Sequence, residues 1–173
     1  KTMMQLQFFD AGHCTHPEHV VLRNRVLRPM RFESMFAVIT HPKHGVILFD
    51  TGYPIHFAEL TRRLPERIYA LTTPVHITPE ESAVSKLRAI GINPTDVRHI
   101  IISHFHADHV GAIGDFPAAT YWFAQQAWES VRHLNRWRAV FSGFLPSLIP
   151  SDFEHRSRPI LRSELTSLPA VYD

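Results

Sequence analysis

Between Ser103 and Gly111 the chain reads Ser-His-Phe-His-Ala-Asp-His-Val-Gly, and four of these residues, His104, His106, Asp108 and His109, are of the types that bind divalent cations. They follow His99–Ser103, whose three consecutive isoleucines predict a buried strand. Ligand-forming side chains therefore gather where a buried strand ends, the position at which α/β folds commonly place their chemistry. In extended backbone alternate side chains point the same way, so His104 and His106 can share one cation at about 2.0–2.1 Å. Asp108 and His109 fall where the chain turns into a helix, and can aim at a second, neighbouring cation. Two close cations can hold a bridging hydroxide and polarise a carbonyl together. Nitrogen and oxygen ligands without thiolate favour Zn²⁺ and leave Mn, Co or Fe open. The competing reading, surface histidines on a polar loop, explains neither the spacing nor the strand end.

The rest of the chain supplies the frame for such a loop. Met3–Phe9 reads as a strand running into a turn at Asp10-Ala11-Gly12, with residues 13–31 as a long loop. Phe36–Thr40 and Val46–Phe49 read as strands joined by the His41–Gly45 turn, a hairpin. Both runs are apolar on both faces, which predicts a sheet covered by further layers. Residues 53–77 read as polar and proline-spaced, with a short helix over 56–64. Thr78, Pro79 and Glu81 form a capping-box signature for a helix that Gly91 stops. A helix opening at Val110–Ile113, a strand over Ala119–Ala124 and a helix over Gln125–Arg138 follow, then a proline- and serine-rich remainder. Strands alternating with helices predict an α/β class.

The His-x-His-x-Asp-His run after a strand, preceded by Leu48-Phe49-Asp50-Thr51-Gly52, resembles the metallo-β-lactamase-fold hydrolases. The resemblance covers Met3 to about Trp137. It implies an αβ/βα sandwich, here mainly the first sheet half with its helices, and two zinc ions in the complete protein. It implies that His104 and His106 are ligands of the first metal and Asp108 and His109 of the second. Asp108 would also hold the catalytic position that orients the hydroxide. Asp50 matches the strand-end aspartate of the family and suits an acceptor for a ligand imidazole; an Asx turn leading to Gly52 is the alternative. A histidine at 106, where the flavo-diiron branch typically has glutamate, disfavours redox diiron chemistry.

The family pattern also needs a third histidine for the first metal, a bridging aspartate and a final histidine. After His109 only His133 and His155 remain, and neither has the glycine context of the family's next motif. Residues 1–173 are therefore expected to be one metallo-β-lactamase-like domain, incomplete at its C-terminus. Within the superfamily the Phe-His-Ala-Asp-His-Val-Gly-Ala run and the Gly-Phe-Leu-Pro segment look most like the lactonases that open N-acyl homoserine lactones by attack of a metal-bound hydroxide. A glyoxalase-II-like thioesterase is the alternative, a nuclease a third reading, and a binding protein with a vestigial site the non-enzymatic one.

Composition narrows the partners. A formal charge of +2 is not that of a nucleic-acid binder, and no apolar run approaches the length that spans a bilayer. A small-molecule ester or lactone is the expected partner, with a homodimer left open. The lone cysteine excludes an intrachain disulfide framework. Without a leader in the sequence a cytoplasmic location is favoured, with periplasmic or secreted locations left open. Within Val140–Pro150, Phe141, Phe144, Leu145 and Leu148 are candidates for an apolar cap over the substrate; the alternative is packing on the domain or a subunit partner. His13, Cys14, His16 and His19 form a second cluster that matches no closed zinc pattern and reads as a loop near the active-site mouth. Arg23, Arg25, Arg28 and Arg31 read as a solvated or ion-paired surface. Trp122, Trp128 and Trp137 read as core and helix-face residues.

Overall fold

The computed structural model describes residues 3–18 and 28–165. Its centre is a seven-stranded sheet in the order β4-β1-β2-β3-β5-β6-β7. The strands are β1 Gln5–Pro17, β2 Pro29–His41, β3 Gly45–Phe49, β4 Val75–His76, β5 Val97–Ile102, β6 Thr120–Ala124 and β7 Ser157–Ile160. β4, β1, β2 and β3 pair antiparallel, whereas β3, β5, β6 and β7 pair parallel.

The largest departure from expectation is at the start of the chain. Residues 13–17 and 29–31, expected in a loop, extend the β1–β2 ladder to a Pro17–Pro29 pair; residues 19–27 lie outside the described residues. The two prolines sit at the last rung, where a missing N–H interrupts nothing further along. Asp10-Ala11-Gly12, expected as a turn, is instead an irregularity in the strand, with the register shifting between Asp10 and His13. Bulges of this kind kink a strand and re-aim its side chains without ending it. The hairpin of β2 and β3 forms across the expected turn.

The helices lie on one face of the sheet. Phe36, Val38, Leu48, Ile100, Tyr121 and Phe123 meet Leu87, Ala139, Phe144 and Phe153 there in one buried core. The other face differs from the expected cover on both sides. Phe8, Ala37, Phe49, Ile101 and Trp122 stand opposite one another across successive strands. Of these, Phe8 and Phe49 are exposed, as are nearby Leu6 and Met35. Among the described residues, no helix is long and apolar enough to cross a membrane.

The helices correct several boundaries. Thr78 does form its capping box, but around a short 3-10 turn at Pro79–Glu81. The chain then re-caps at Ser82, whose hydroxyl accepts from the Ser85 N–H, and α3 runs Ala83–Ala89. It ends as expected: the Gly91 N–H reaches the Arg88 carbonyl and the Ile92 N–H the Leu87 carbonyl, a Schellman pattern. Residues 53–77 hold α1 Phe57–Leu60, α2 Glu66–Thr72 and β4, of which only the first was expected. A four-residue α4, Ala107–Val110, puts the turn into a helix at Asp108 and His109 as expected, but ends where the helix over Val110–Ile113 was expected to open. The helix expected over 125–138 splits into α5 Gln125–Arg132 and α6 Arg136–Phe141, because the Asn135 side chain caps a new start at the Arg138 N–H. A short α7, Phe153–Arg156, leads into β7. Trp128 packs on the core, but Trp137 is half-exposed and Trp122 stands on the open face, where its indole N–H donates to His99 Nδ1.

Candidate metal centre and adjoining cavity

The motif is presented by alternation about one buried anchor. Phe105 is 2% exposed and packs among Phe123, Trp128, Phe144 and Phe153. With Phe105 held inward, His104 and His106 turn outward together, their ring centroids 4.5 Å apart. The short α4 then brings His109 back, 4.0 Å from the His104 ring. His109 Nε2 lies 3.3 Å from Asp108 Oδ2. Three imidazoles and one carboxylate thus gather at one locus.

Asp50-Thr51-Gly52 fastens that locus to the end of β3. Asp50 is 3% exposed and takes a left-handed φ of 59°. Its Oδ1 accepts from the Ser103 N–H at 2.9 Å, and its Oδ2 accepts from the Ser103 hydroxyl and from His109 Nδ1, each at 2.7 Å. With its proton committed to Asp50, the Ser103 hydroxyl accepts from His104 Nδ1 at 3.0 Å. One buried carboxylate therefore orients His109 directly and sets the tautomer of His104 through Ser103, leaving His104 Nε2 as an acceptor while His109 Nε2 faces the Asp108 carboxylate. The Thr51 N–H and hydroxyl both donate to the His109 carbonyl, and the Ala112 N–H donates to Gly52 O. Gly52 has a φ of +74°, and a Cβ there would lie 2.4 Å from that of Ala11, so the β1 irregularity and this turn require each other. The Asx-turn alternative for Asp50 gives way to a role as acceptor between strands.

The charges follow the contacts. Burial works against an imidazolium at His109, but the hydrogen bonds and charges of Asp108 and Asp50 outweigh it and push the group up to about 9. Burial, then the neighbouring His109 and His106, lowers His104 and keeps its ring neutral. Burial raises Asp108, yet the hydrogen bond and charge of His109 hold it below the usual carboxylate value. The donor set, neutral imidazole beside ionised carboxylate with buried acceptors behind, fits a borderline divalent cation. Among the described residues, no three histidine, cysteine, aspartate or glutamate side chains already surround one point in ligand geometry.

A cavity of about 550 Å³ opens beside His106 and Asp108. Phe32, Ile68, Val140 and Phe141 give it apolar walls; Cys14, Tyr53 and Tyr69 line it with more polar atoms, and His16, Thr72 and Thr73 add a polar patch. The residues proposed from sequence for the apolar cap divide here. Phe141 is exposed and lines the cavity, whereas Phe144, Leu145 and Leu148 are at most 4% exposed and belong to the core, because the chain turns inward after Gly143. Gly143, with φ +80°, backs the metal loop: a Cβ there would sit 3.1 Å from the His106 ring, and its carbonyl accepts from the Ala107 N–H.

Sequence reasoning missed Ser103, Tyr53, Tyr69 and Gly143. Ser103 and Tyr53 each adjoin a singled-out motif and Gly143 lies within one, whereas Tyr69 carried no signal. Of the second histidine cluster, Cys14 and His16 line the cavity from a strand rather than a loop, and His13 stacks on His76 at 5.0 Å with its Nδ1 buried and unpaired. His19, Arg23 and Arg25 lie outside the described residues. Arg28 pairs with Glu18 and Arg31 with Glu33. His133 pairs with Glu129 on an exposed surface, and His155 is exposed in α7.

A sheet whose strand ends present a His-x-His-x-Asp-His loop, braced by a strand-end aspartate, defines a class of metallohydrolase scaffold. Residues 31–141 match the metallo-β-lactamase superfamily, and the chain belongs to it. It is 37% identical over 94 residues to the N-acyl homoserine lactonase AttM of Azorhizobium caulinodans, a stretch covering 54% of this chain and 35% of that protein. It is 27% identical over 158 residues to an N-acyl homoserine lactonase of Bacillus cereus, covering 88% of this chain and 62% of the relative. A solved N-acyl homoserine lactone hydrolase, with the product N-hexanoyl-L-homoserine at its catalytic metal centre, superposes with a TM-score of 0.69 at 23% identity, covering 93% of this chain and 61% of its own. That last likeness is one of fold. The chain spans less than two thirds of the length of each of these relatives.

Proposed function

We propose that the protein opens the ring of N-acyl homoserine lactones, with His104 and His106 holding one zinc ion and Asp108 and His109 a second. The observation that carries this reading is the Asp50 carboxylate at 2.7 Å from His109 Nδ1, with Ser103 extending the same control to His104. It pre-orients two imidazoles beside His106 and Asp108, the residues of the loop that line the cavity, which surface histidines would not need. When bound, zinc supplies Lewis acidity toward an acyl carbonyl and lowers the pKa of water toward neutrality.

The chain's own residues do the rest. His104 presents a neutral Nε2. Asp108 stays ionised and accepts a hydrogen bond from the attacking water, orienting it at the lactone carbonyl. Phe32, Ile68, Val140 and Phe141 offer apolar surface for the acyl tail. The kinship with lactonases supports the lactone over a thioester, since the ligand set alone serves both.

The test is ring opening of short- and long-chain acyl homoserine lactones by the zinc-loaded protein, beside a panel of glutathione thioesters and with zinc content measured. Turnover of the lactones is expected. Hydrolysis of the thioesters with no lactone opened would overturn the lactonase reading and favour the thioesterase.

A further inference from the structure

The cavity holds one feature that neither the ligand loop nor its apolar walls account for. Thr73 Oγ1 and His16 Nε2 lie 3.2 Å apart in its lining. Thr73 ends α2 and is 4% exposed. The Thr15 N–H donates to the Pro74 carbonyl at 3.0 Å, which fixes the α2 end beside β1. His16 also meets the edge of Phe32. A hydroxyl and an imidazole in an apolar wall are costly unless bonded. Here each is the other's partner, and one bond between them leaves the hydroxyl with further capacity. When Nε2–H donates, the threonine proton is free to donate into the cavity; when the threonine donates, its oxygen still accepts.

The position of the pair selects the group it would meet. Cys14 lines the cavity and lies close enough to Asp108 to feel its charge. His16 is two residues further along the same strand and on the same face, about 7 Å at the rise of extended backbone. His106 and Asp108 line the same cavity as His16 and Thr73, so a substrate whose scissile carbonyl sits at Asp108 and His106 and whose acyl chain extends along that cavity brings the chain to the pair.

We propose that His16 and Thr73 form a polar subsite that hydrogen-bonds a keto or hydroxyl oxygen on the third carbon of the acyl chain, a reading that rests on the lactonase assignment above. The pair makes this protein favour oxygenated acyl chains over plain ones of equal length. One neutral hydrogen bond of ordinary net strength corresponds to a preference of about three- to tenfold in kcat/KM.

The experiment compares 3-oxo, 3-hydroxy and unsubstituted acyl homoserine lactones of one chain length on the zinc-loaded protein. It uses wild type, Thr73→Val, Thr73→Ser and His16→Phe. The ratio of kcat/KM between oxygenated and plain substrates is expected to exceed threefold in wild type and Thr73→Ser, and to fall to about one in Thr73→Val and His16→Phe. As a binding readout, the His16 imidazole ¹⁵N resonances should move on adding the ring-opened 3-oxo product and stay in place with the plain product. If both kinds of lactone are opened with a wild-type ratio near one, the subsite is overturned and the lactonase reading stands. If the ratio survives in a folded Thr73→Val and in His16→Phe, the subsite is likewise overturned. If no lactone is opened, the lactonase reading falls and the subsite with it.

Discussion

Two histidine-bearing segments border the same cavity, and they are built differently. In the loop after β5, His109 Nδ1 meets Asp50 and His104 Nδ1 meets Ser103, so a buried carboxylate stands behind both rings. On β1, His13 Nδ1 is buried without a partner and His16 shares its Nε2 with a neutral hydroxyl. The difference is in what lies behind the imidazole. A histidine becomes a strong ligand when its second nitrogen is bonded to an acceptor that raises its basicity and fixes its tautomer. Without that, it is a polar side chain in a wall.

The largest expected effect comes from removing charge at the ligand loop itself. Asp108→Asn keeps shape and removes the carboxylate, and should lower kcat by more than about a hundredfold with a smaller change in KM, since the loss falls on the transition state. Zinc stoichiometry should fall with it; steady-state kinetics with metal analysis checks both. Next is the acceptor behind the ligands. Asp50→Asn should weaken zinc binding about 10- to 100-fold, as outer-shell losses do, measured by competition with a chromophoric chelator. An unchanged affinity would break the comparison, because it would reduce Asp50 to a structural tie.

His13→Phe sharpens the other side. It keeps a ring against His76 and removes a buried nitrogen that lacks a partner. Stability should stay level or rise by up to about 1 kcal/mol, with zinc content unaltered, as read by chemical denaturation and metal analysis. The smallest effect lies at the neighbouring strand irregularity. Lys86 bonds to Asp10 at 2.9 Å, and its hydrogen bond holds that carboxyl below the usual value. A depressed carboxylate contributes stability above its unfolded pKa and loses it as the pH falls through the folded value. Asp10→Asn should therefore cost about 0.2–1 kcal/mol at pH 7, the range for exposed pairs. The gap from wild type should narrow as the pH falls through the depressed folded value and close once the carboxyl is protonated in both states.

Local patterns were legible where one segment carries its own instructions. The isoleucine run, the Gly91 stop and the hairpin turn at His41–Gly45 each depend on residues within a few positions. Legibility failed where a distant segment decides. Residues 13–17 look like loop because two histidines and a proline interrupt any alternation, yet their ladder partners on β2 make them strand. The helix over 125–138 reads as continuous because Asn135 is tolerated in helices, yet its side chain caps a new one. Phe144, Leu145 and Leu148 read as surface cap because the segment is apolar and broken; the inward turn at Gly143 is set by its packing on His106.

The sequence by itself determined that His104, His106, Asp108 and His109 would stand at a strand end, because alternation about Phe105 and the turn into a short helix are local properties of the backbone. It also pointed to Asp50 as an acceptor. Only the tertiary structure decided which imidazoles Asp50 serves. It alone brought Ser103 between the carboxylate and His104, and set Cys14, His16, Tyr69 and Thr73 around a cavity beside Asp108. The physical reason is range. Strand and helix follow from neighbouring torsions and side-chain alternation, whereas a buried carboxylate or hydroxyl takes its partners from whatever segment packing delivers within hydrogen-bond distance.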